Sequence, residues 1–337
     1  MTVRARLVAA ALVLGLASGV GACGHPAPDA GLVQDGPGAR LDNLIRQDVR
    51  VADVAWRLAL ANADLCPVNR RRAGWTLQSA NQYGDELRPL AESRYGLDGD
   101  LPGVLAVPAD TPAAAAGLQR GDLILSVNGQ PLQRGEAGLE SYDGLQANIT
   151  VLDQALARGR VQLLVRRDGT ERTVDLQPVL ACAYPTQVEV NGALTGRADG
   201  RHIFISDGMA NLAENDDQLA FVLAHELAHA VLEHRTQPDV VGVRGASNWA
   251  ISMRRGLSLS AEADADRMGL FLTARAGFDP YAAVEFLNQY EAADGGARYV
   301  QVNAGGIYEP ASVRRRTLGP VLADIAERRQ TGRALIP

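Results

Sequence analysis

The chain has 337 residues, of which 47% are hydrophobic, and a formal net charge of −6. This apolar content is enough for two domains of roughly 100–200 residues each, which excludes a chain that is disordered throughout. All 33 basic residues are arginines, and the acidic residues are spread along the chain rather than gathered in a tail. The negative balance argues against a general nucleic-acid binder, so we expect no nucleic-acid partner.

The first two dozen residues carry the features of an export signal. Arg4 and Arg6 precede an apolar run from Leu7 to Val20, which is shorter than the roughly 20 residues that a membrane-spanning helix needs. The run ends in Val20-Gly21-Ala22-Cys23, which resembles the bacterial lipobox. The resemblance implies a signal peptide over residues 1–22 and a lipid anchor on Cys23, with the protein in the periplasm at the outer membrane. A soluble secretory signal with an incidental cysteine is the alternative.

Two further cysteines agree with export. Cys66 and Cys182 form an even pair in a compartment that permits disulfides. A bridge between them would close a long loop and contribute up to about 4–5 kcal/mol in the chain-entropy model. Two buried thiols that pack as small hydrophobic groups are the alternative.

The predicted secondary structure then changes twice along the chain. After a Gly/Pro/Ala-rich linker over residues 23–40, apolar residues recur at helical spacing and predict an amphipathic helix over residues 41–65. From about residue 90 to 179, short β-type runs alternate with turn signals at Asn128-Gly129 and Asp168-Gly169. The predicted strands are Gly103 to Val107, Asp122 to Val127, Val161 to Arg166, and Glu171 to Leu176.

The stretch from Thr111-Pro112-Ala113 to Val127-Asn128-Gly129 resembles the bacterial PDZ domain. The resemblance implies a groove that binds an extended peptide as an added strand. Tyr95-Gly96-Leu97-Asp98 would then bind the peptide carboxylate, Gly103 to Val107 would be the receiving strand, and residues 148–158 the groove helix. Because Asp98 and Asp100 would repel a carboxylate, two alternatives stay open. The groove takes an internal segment, or the domain is only a spacer.

The chemistry-bearing residues lie further along the chain. Residues 215–234 predict a buried helix that begins at an Asn215 or Asp216 cap. His225 and His229 are four residues apart, so both imidazoles can converge on one ion, and Glu226 points to the side of the attacking water. This is the H-E-x-x-H zinc motif; two histidines that only form hydrogen bonds in the core are the alternative. We expect His234 to point elsewhere and to cap the helix C-terminus.

A catalytic zinc needs three protein ligands and one open position. The best third ligand is Glu262, in the first turn of a predicted second helix that begins near Ser260. Asp266, one turn later, can orient a ligand imidazole through its second ring nitrogen, whereas Asp264 is assigned to a solvated face. A dipole-favoured carboxylate for Glu262 and a solvated face for Asp266 are the alternatives.

Together, the H-E-x-x-H helix and the later E-x-x-A-D-x-x-G segment resemble the gluzincin metallopeptidase family that includes HtpX and the CAAX prenyl endopeptidases, in its soluble periplasmic branch. Arg201 to Ser206 resembles the family's strand before the zinc helix, and Phe278-Asp279-Pro280 the start of the next helix. The family's His-Pro and later Arg are here Glu309-Pro310 and Arg315, so neither Glu309 nor Arg315 receives a role. The resemblance implies an α+β fold: a mainly helical zincin metalloprotease domain (residues 41–89 and 180–337) with a small edge sheet, interrupted by a β-rich PDZ-like domain (residues 90–179).

The resulting expectation is a zinc endopeptidase of the bacterial envelope with one Zn²⁺ per chain. Its partners would be unfolded or misassembled protein substrates, paired in extended form along the edge strand Arg201 to Ser206, and the membrane through the lipid anchor. Residues 236–258 are predicted to form a lid over the zinc. Tyr299 or Tyr308 could donate to the oxyanion, although a core or surface position is the more ordinary role of a tyrosine.

The alternative function is a non-catalytic, PDZ-containing lipoprotein that acts as a chaperone or adaptor for an envelope assembly machinery. Its zinc would be structural, and a closed structural site needs a fourth protein ligand. Glu309 and His234 are the nearest candidates in the sequence.

Overall fold

The computed structural model describes residues 36–136, 138, 140–234, 259–293 and 311–337. The signal peptide, Cys23, the predicted lid over 236–258, Tyr299, Tyr308 and Glu309 lie outside the described residues. The helices are α1 Pro37–Ala61, α2 Arg88–Tyr95, α3 Pro112–Ala115, α4 Asp143–Ala157, α5 Asp207–Leu212, α6 Asp216–Val231, α7 Leu259–Arg275, α8 Ala282–Ala293 and α9 Ala311–Thr331. The strands are β1 Asn69–Arg72, β2 Thr76–Gln78, β3 Gly103–Ala106, β4 Leu123–Val127, β5 Gln130–Pro131, β6 Val161–Arg167, β7 Thr170–Leu176, β8 Val179–Cys182, β9 Thr186–Glu189, β10 Gly196–Ala198 and β11 Ile203–Ser206. Within this part of the chain, no helix is both long and apolar enough to cross a membrane.

The expected α+β fold is confirmed, with a β-rich sheet domain inserted into a mainly helical one. The inserted sheet has six strands in the order β2-β3-β4-β6-β7, with β5 paired to β4. Asn128-Gly129 and Asp168-Gly169 have positive φ at both residues and make the tight turns after β4 and β6, as their sequences predict. Apolar residues of the sheet and of α4 form its core: Val104, Leu123, Ile124, Leu145, Leu152, Leu163 and Val165.

The sheet begins upstream of the predicted boundary at residue 90, because β2 is its first strand. β3 therefore pairs with β2 on one side and with β4 on the other, so the prediction that residues 103–107 receive a peptide is wrong. That edge of β3 is held by Thr76–Gln78 of the chain itself.

The predicted carboxylate loop lies at the end of α2. Gly96 ends α2 in a left-handed conformation (φ 62°), which its missing side chain permits. Leu97 is buried against Gly103, where an added Cβ would stand 2.3 Å from Leu97 Cδ2. Asp98 forms an ion pair with Arg134. Tyr95 and Gly96 thus end a helix and Leu97 packs in a core, and the carboxylate-binding role of these residues stays a prediction.

A two-stranded stem joins the inserted domain to the rest of the chain. β1 and β8 are antiparallel, and Asn69 lies opposite Cys182. Cys66 and Cys182 form a disulfide with a Cα–Cα distance of 5.5 Å, which confirms the predicted bridge. Both cysteines are buried in the core of the helical domain. The insertion is therefore anchored at its base by a covalent cross-link.

The helical domain holds a three-stranded sheet in the order β10-β11-β9. β11 pairs antiparallel with β10 and parallel with β9. The prediction that Arg201 to Ser206 is an edge strand is therefore wrong, since its strand residues, Ile203–Ser206, are central. β10 is the edge strand that contacts α6.

Candidate metal centre and active site

The two predicted histidine ligands lie on one face of α6. Asn215 accepts a hydrogen bond from the backbone N–H of Gln218 at 2.9 Å and fixes the start of the helix, so the predicted cap is confirmed. His225 and His229 follow on a buried stretch and are only 6% and 1% exposed. Their Nε2 atoms lie 3.2 Å apart. The helix thus directs two ring nitrogens at one point.

Glu262, in the first turn of α7, completes the group. Its Oε2 lies 3.2 Å from His225 Nε2 and 3.6 Å from His229 Nε2. A tetrahedral ion with ligand bonds of about 2.0–2.1 Å separates its ligands by roughly 3.3 Å, so the triangle has the size that zinc requires. Of the residues that the structure describes, this is the only group of three or more His, Cys, Asp or Glu that could hold a metal ion.

The state of the Glu262 carboxylate also fits a cation. The side chain is 3% exposed, and neither oxygen has a hydrogen-bond partner of acceptable geometry among the described residues. Burial raises the pKa of Glu262, but His225 and His229 more than offset this and lower it to about 2. A buried, ionised carboxylate without a partner is costly, and a bound cation would remove that cost.

Close helix packing brings α7 to α6. Gly269 lies against α6, where an added Cβ would stand 3.1 Å from the His225 backbone nitrogen. A side chain at this position would push the two helices apart. This close contact explains why the E-x-x-A-D-x-x-G pattern ends in glycine.

Asp266 orients His225, as predicted. Its Oδ1 lies 2.9 Å from His225 Nδ1, and the carboxylate accepts hydrogen bonds from Arg314 Nε at 2.7 Å and Nη2 at 2.5 Å. Burial raises the pKa of Asp266, but Arg314 holds it well below its usual range. The anionic Asp266 keeps the proton on His225 Nδ1 and leaves Nε2 free to face the metal.

The same surroundings make the pocket attractive to positive charge. Burial lowers the pKa of His225, but the nearby carboxylates of Asp266 and Glu262 raise it to about 10.

Arg314 is a functional residue that the sequence analysis missed. The family pattern directed attention to its neighbour Arg315, which instead donates to Glu291 Oε2 at 2.7 Å. Consecutive residues of a helix point in directions about 100° apart, so only one of the two arginines can face Asp266. Nothing in the local sequence distinguishes them.

Glu226 is buried beside the metal ligands. It is 4% exposed, and its Oε2 has no hydrogen-bond partner in the described part of the chain. Gly196 of β10 faces it so closely that an added Cβ would stand 2.8 Å from Oε1. An unshared carboxylate oxygen in this position can accept a proton, as the predicted general base must. Gly196 carries no sequence signal for this role.

His234 contacts the site, contrary to the prediction that it points elsewhere. Its Nδ1 lies 3.1 Å from His229 Nδ1, on the side of the His229 ring away from the other ligands. His234 therefore lies behind a ligand instead of supplying the fourth metal ligand that a closed structural site would need.

Two stretches of the chain match known families. Residues 159–251 match peptidase family M48, and residues 103–167 match the PDZ domain. The peptidase match ends before Glu262, so the assignment of Glu262 and Asp266 rests on the geometry above.

Relatives of two kinds share these regions. The chain is 33% identical over 120 residues to the mitochondrial metalloendopeptidase OMA1 of Bos taurus, which covers 27% of this chain and 23% of that protein. It is 36% identical over 111 residues to a probable periplasmic serine endoprotease, DegP-like, of Pseudomonas fluorescens, which covers 32% of this chain and 20% of that protein. A crystal structure of the HtrA3 PDZ domain bound to a phage-derived ligand covers 34% of this chain and 89% of that chain, at 22% identity and a TM-score of 0.25.

The chain thus spans about a quarter or less of these two curated relatives. The site geometry is that of a metal centre, and the chain is similar to peptidase family M48 over residues 159–251 and to the PDZ domain over residues 103–167.

Proposed function

We propose that the chain is a zinc-dependent endopeptidase of the bacterial cell envelope that cleaves unfolded or misassembled proteins. The observation that carries the proposal is the triangle of His225, His229 and Glu262, with edges of 3.2, 3.2 and 3.6 Å, beside Glu226, whose Oε2 has no hydrogen-bond partner among the described residues. When bound, Zn²⁺ would activate water and polarise the scissile carbonyl.

Glu226 performs the proton transfers. One of its carboxylate oxygens has no partner among the described residues, so it can take a proton from the attacking water. The same group then returns a proton to the leaving amine. Because Glu226 is buried, its carboxylate is held in a defined position, and the rate of such proton transfers depends on that position.

The substrate lies along β10. This strand pairs with β11 on one side, and no other strand of the described residues pairs with its second side. An extended polypeptide can add to such an edge through backbone hydrogen bonds, which favours unfolded segments over folded ones. Since Gly196 of β10 faces Glu226, a chain bound there passes next to the general base.

The PDZ-like domain holds a second, non-catalytic peptide site at β2, which has a strand partner on only one side within the described residues. Tyr142 at the start of α4 is 39% exposed, and Asp153 of α4 lies 4.0 Å from Arg70 of β1, so α4 lies beside the strand that leads into β2. Burial raises the pKa of both Tyr142 and Asp153, and both side chains keep contact with solvent. An extended segment of the substrate would bind here.

The Tyr142→Asp variant tests this second site in the inactive Glu226→Gln background, where binding is measured without turnover. It should weaken the binding of unfolded casein, whereas Tyr281→Asp, at an exposed tyrosine outside the sheet, should not. Equal binding by both variants would contradict the placement at β2.

The cellular location is part of the proposal and rests on the sequence alone. The lipobox-like segment supports a lipid anchor on Cys23 in the periplasm and at the outer membrane, where the envelope assembly machinery would be a partner. Cys23→Ser should move the protein from the membrane fraction to the soluble fraction and abolish labelling by a fatty-acid analogue. Unchanged fractionation would contradict the anchor.

The experiment that tests the peptidase is casein cleavage by the purified mature chain beside its Glu226→Gln form, with zinc content measured on both. We expect Glu226→Gln to keep its zinc and lose cleavage. If the wild type binds no zinc, or if the variant cleaves as well as the wild type, the peptidase proposal fails, whereas zinc in both forms with cleavage by neither would favour the adaptor alternative.

A further inference from the structure

We propose that His234 is a positioning residue for the zinc site: its Nδ1 accepts a hydrogen bond from Nδ1–H of His229 and thereby directs His229 Nε2 at the metal. This inference rests on the proposed function. It concerns a residue that touches neither the metal nor the substrate.

The end of α6 brings His234 back onto the helix. The backbone N–H of Glu233 donates to Ala230 O at 3.3 Å, and that of His234 donates to His229 O at 3.0 Å. Glu233 has a left-handed conformation with φ 53°. These bonds are those of a Schellman motif, in which the second residue after the helix C-cap packs on the residue three positions before that cap. The C-cap of α6 is Leu232. Here that pair is His234 and His229.

The two rings meet through their Nδ1 atoms. The atoms are 3.1 Å apart, and the ring planes are inclined by 64°. His229 Nε2 faces His225 and Glu262, so a metal ligand at that atom needs its proton on Nδ1. His234 Nδ1 is then the acceptor. His229 is nearly fully buried, and without His234 this donor would have no partner among the described residues.

The geometry gives each ligand imidazole a different partner. His225 donates to the carboxylate of Asp266, which Arg314 holds in place. His229 has a second imidazole instead. Glu233, the residue between the helix and His234, adopts a backbone conformation that residues other than glycine rarely take. The backbone accepts this unfavourable conformation at the one position that lets His234 reach His229.

The test is the zinc affinity of three variants of the mature chain, measured by competition with a chromophoric chelator. His234→Phe keeps the ring shape but removes the acceptor, His234→Ala removes both, and His234→Asn places an amide oxygen near the position of Nδ1. We expect about 10–100-fold weaker zinc binding for Phe and Ala, the range found when such outer partners are lost, and recovery to within about threefold of wild type for Asn.

The absorption spectrum of the Co²⁺-substituted protein is a second measurement. It should be altered in the Phe variant and close to wild type in the Asn variant, because only the latter keeps His229 oriented. Thermal unfolding of the metal-free proteins checks that each variant folds, and a variant that does not fold leaves the other two to decide.

Zinc affinity of His234→Phe equal to that of wild type, or Asn binding as weakly as Phe, would overturn the assignment. The outcome is separable from the fate of the proposed function. Failure of the peptidase appears in the wild type, as absent zinc or cleavage that persists in Glu226→Gln, whereas failure of the His234 role appears only in the comparison among variants.

Discussion

Replacing Gly196 by alanine should slow peptide cleavage while leaving zinc bound. The added Cβ would stand 2.8 Å from Glu226 Oε1, 3.2 Å from Cγ and 3.3 Å from Cδ. Carbon and oxygen atoms in ordinary contact lie about 3.5 Å apart, so the Glu226 side chain must move by roughly half an ångström. Gly196 is absent from the glycines of positive φ, so the backbone itself accepts alanine.

The size of the effect follows from the role of the displaced group. A misplacement of about 1 Å in a catalytic constellation can cost roughly 10²-fold in rate. Half of that displacement predicts a fall in kcat/KM of about tenfold, or about 1.4 kcal/mol. The cost in folding should be small, because the atoms that must move belong to the flexible end of a side chain. A substitution that is inexpensive for stability is therefore costly for catalysis.

The assay measures kcat/KM on an unfolded, fluorescently labelled substrate, together with zinc content and thermal unfolding. Gly319→Ala in α9 is the matched control, since an added Cβ there meets nothing within 4 Å and alanine favours a helix. Wild-type kcat/KM in Gly196→Ala, or activity lost only in proportion to zinc, would refute the reasoning.

Three further predictions follow from the same structure. Arg314→Ala should weaken zinc binding by about 10–100-fold, measured by chelator competition, because Asp266 then loses the guanidinium that holds it against His225. Burial raises the pKa of Asp48 from 3.8 to about 7, so the ionised carboxylate destabilises the folded state once the pH rises above the unfolded pKa near 4. Asp48→Asn should therefore raise the free energy of unfolding by on the order of 2 kcal/mol at pH 8 and by little at pH 4. Equal effects at the two pH values would contradict this prediction. Replacing both Cys66 and Cys182 by serine should lower the free energy of unfolding by about 2–4 kcal/mol, measured in denaturant under non-reducing conditions, and an unchanged midpoint would count against the stem.

Features that depend on local rules could be predicted from the sequence. The four-residue spacing of His225 and His229 places both on one helix face wherever that helix lies. Asn128-Gly129 makes a tight turn because both residues accept positive φ. The pairing of Cys66 with Cys182 could be predicted without geometry, because a lipid anchor expected on Cys23 would leave no other cysteine in the sequence.

Features that depend on tertiary placement could not be predicted. Thr76–Gln78 joins the inserted sheet from across a long intervening segment, and a three-residue strand is too short for a periodic pattern. The choice between Arg314 and Arg315 depends on how α9 is rotated against α7. His234 was misplaced because helical periodicity was extended past Val231, where the Schellman turn ends the helix and reverses the chain.

One helix explains why the two domains act as a single frame around the site. The first turns of α1 bury Leu41 and Ile45 among residues of the inserted domain that include Leu105, whereas its later turns bury Val54 and Leu58 in the core that holds the zinc helix. The indole N–H of Trp56, also in α1, donates to the backbone oxygen of Asp110 in the inserted domain. Because α1 supplies core residues to both, and the disulfide closes the stem near its C-terminal end, a displacement of the sheet domain must strain the packing beneath α6. The apolar residues of α1 therefore pack in the cores of two domains. Its sequence alone predicts an amphipathic helix but does not show which surfaces that helix contacts.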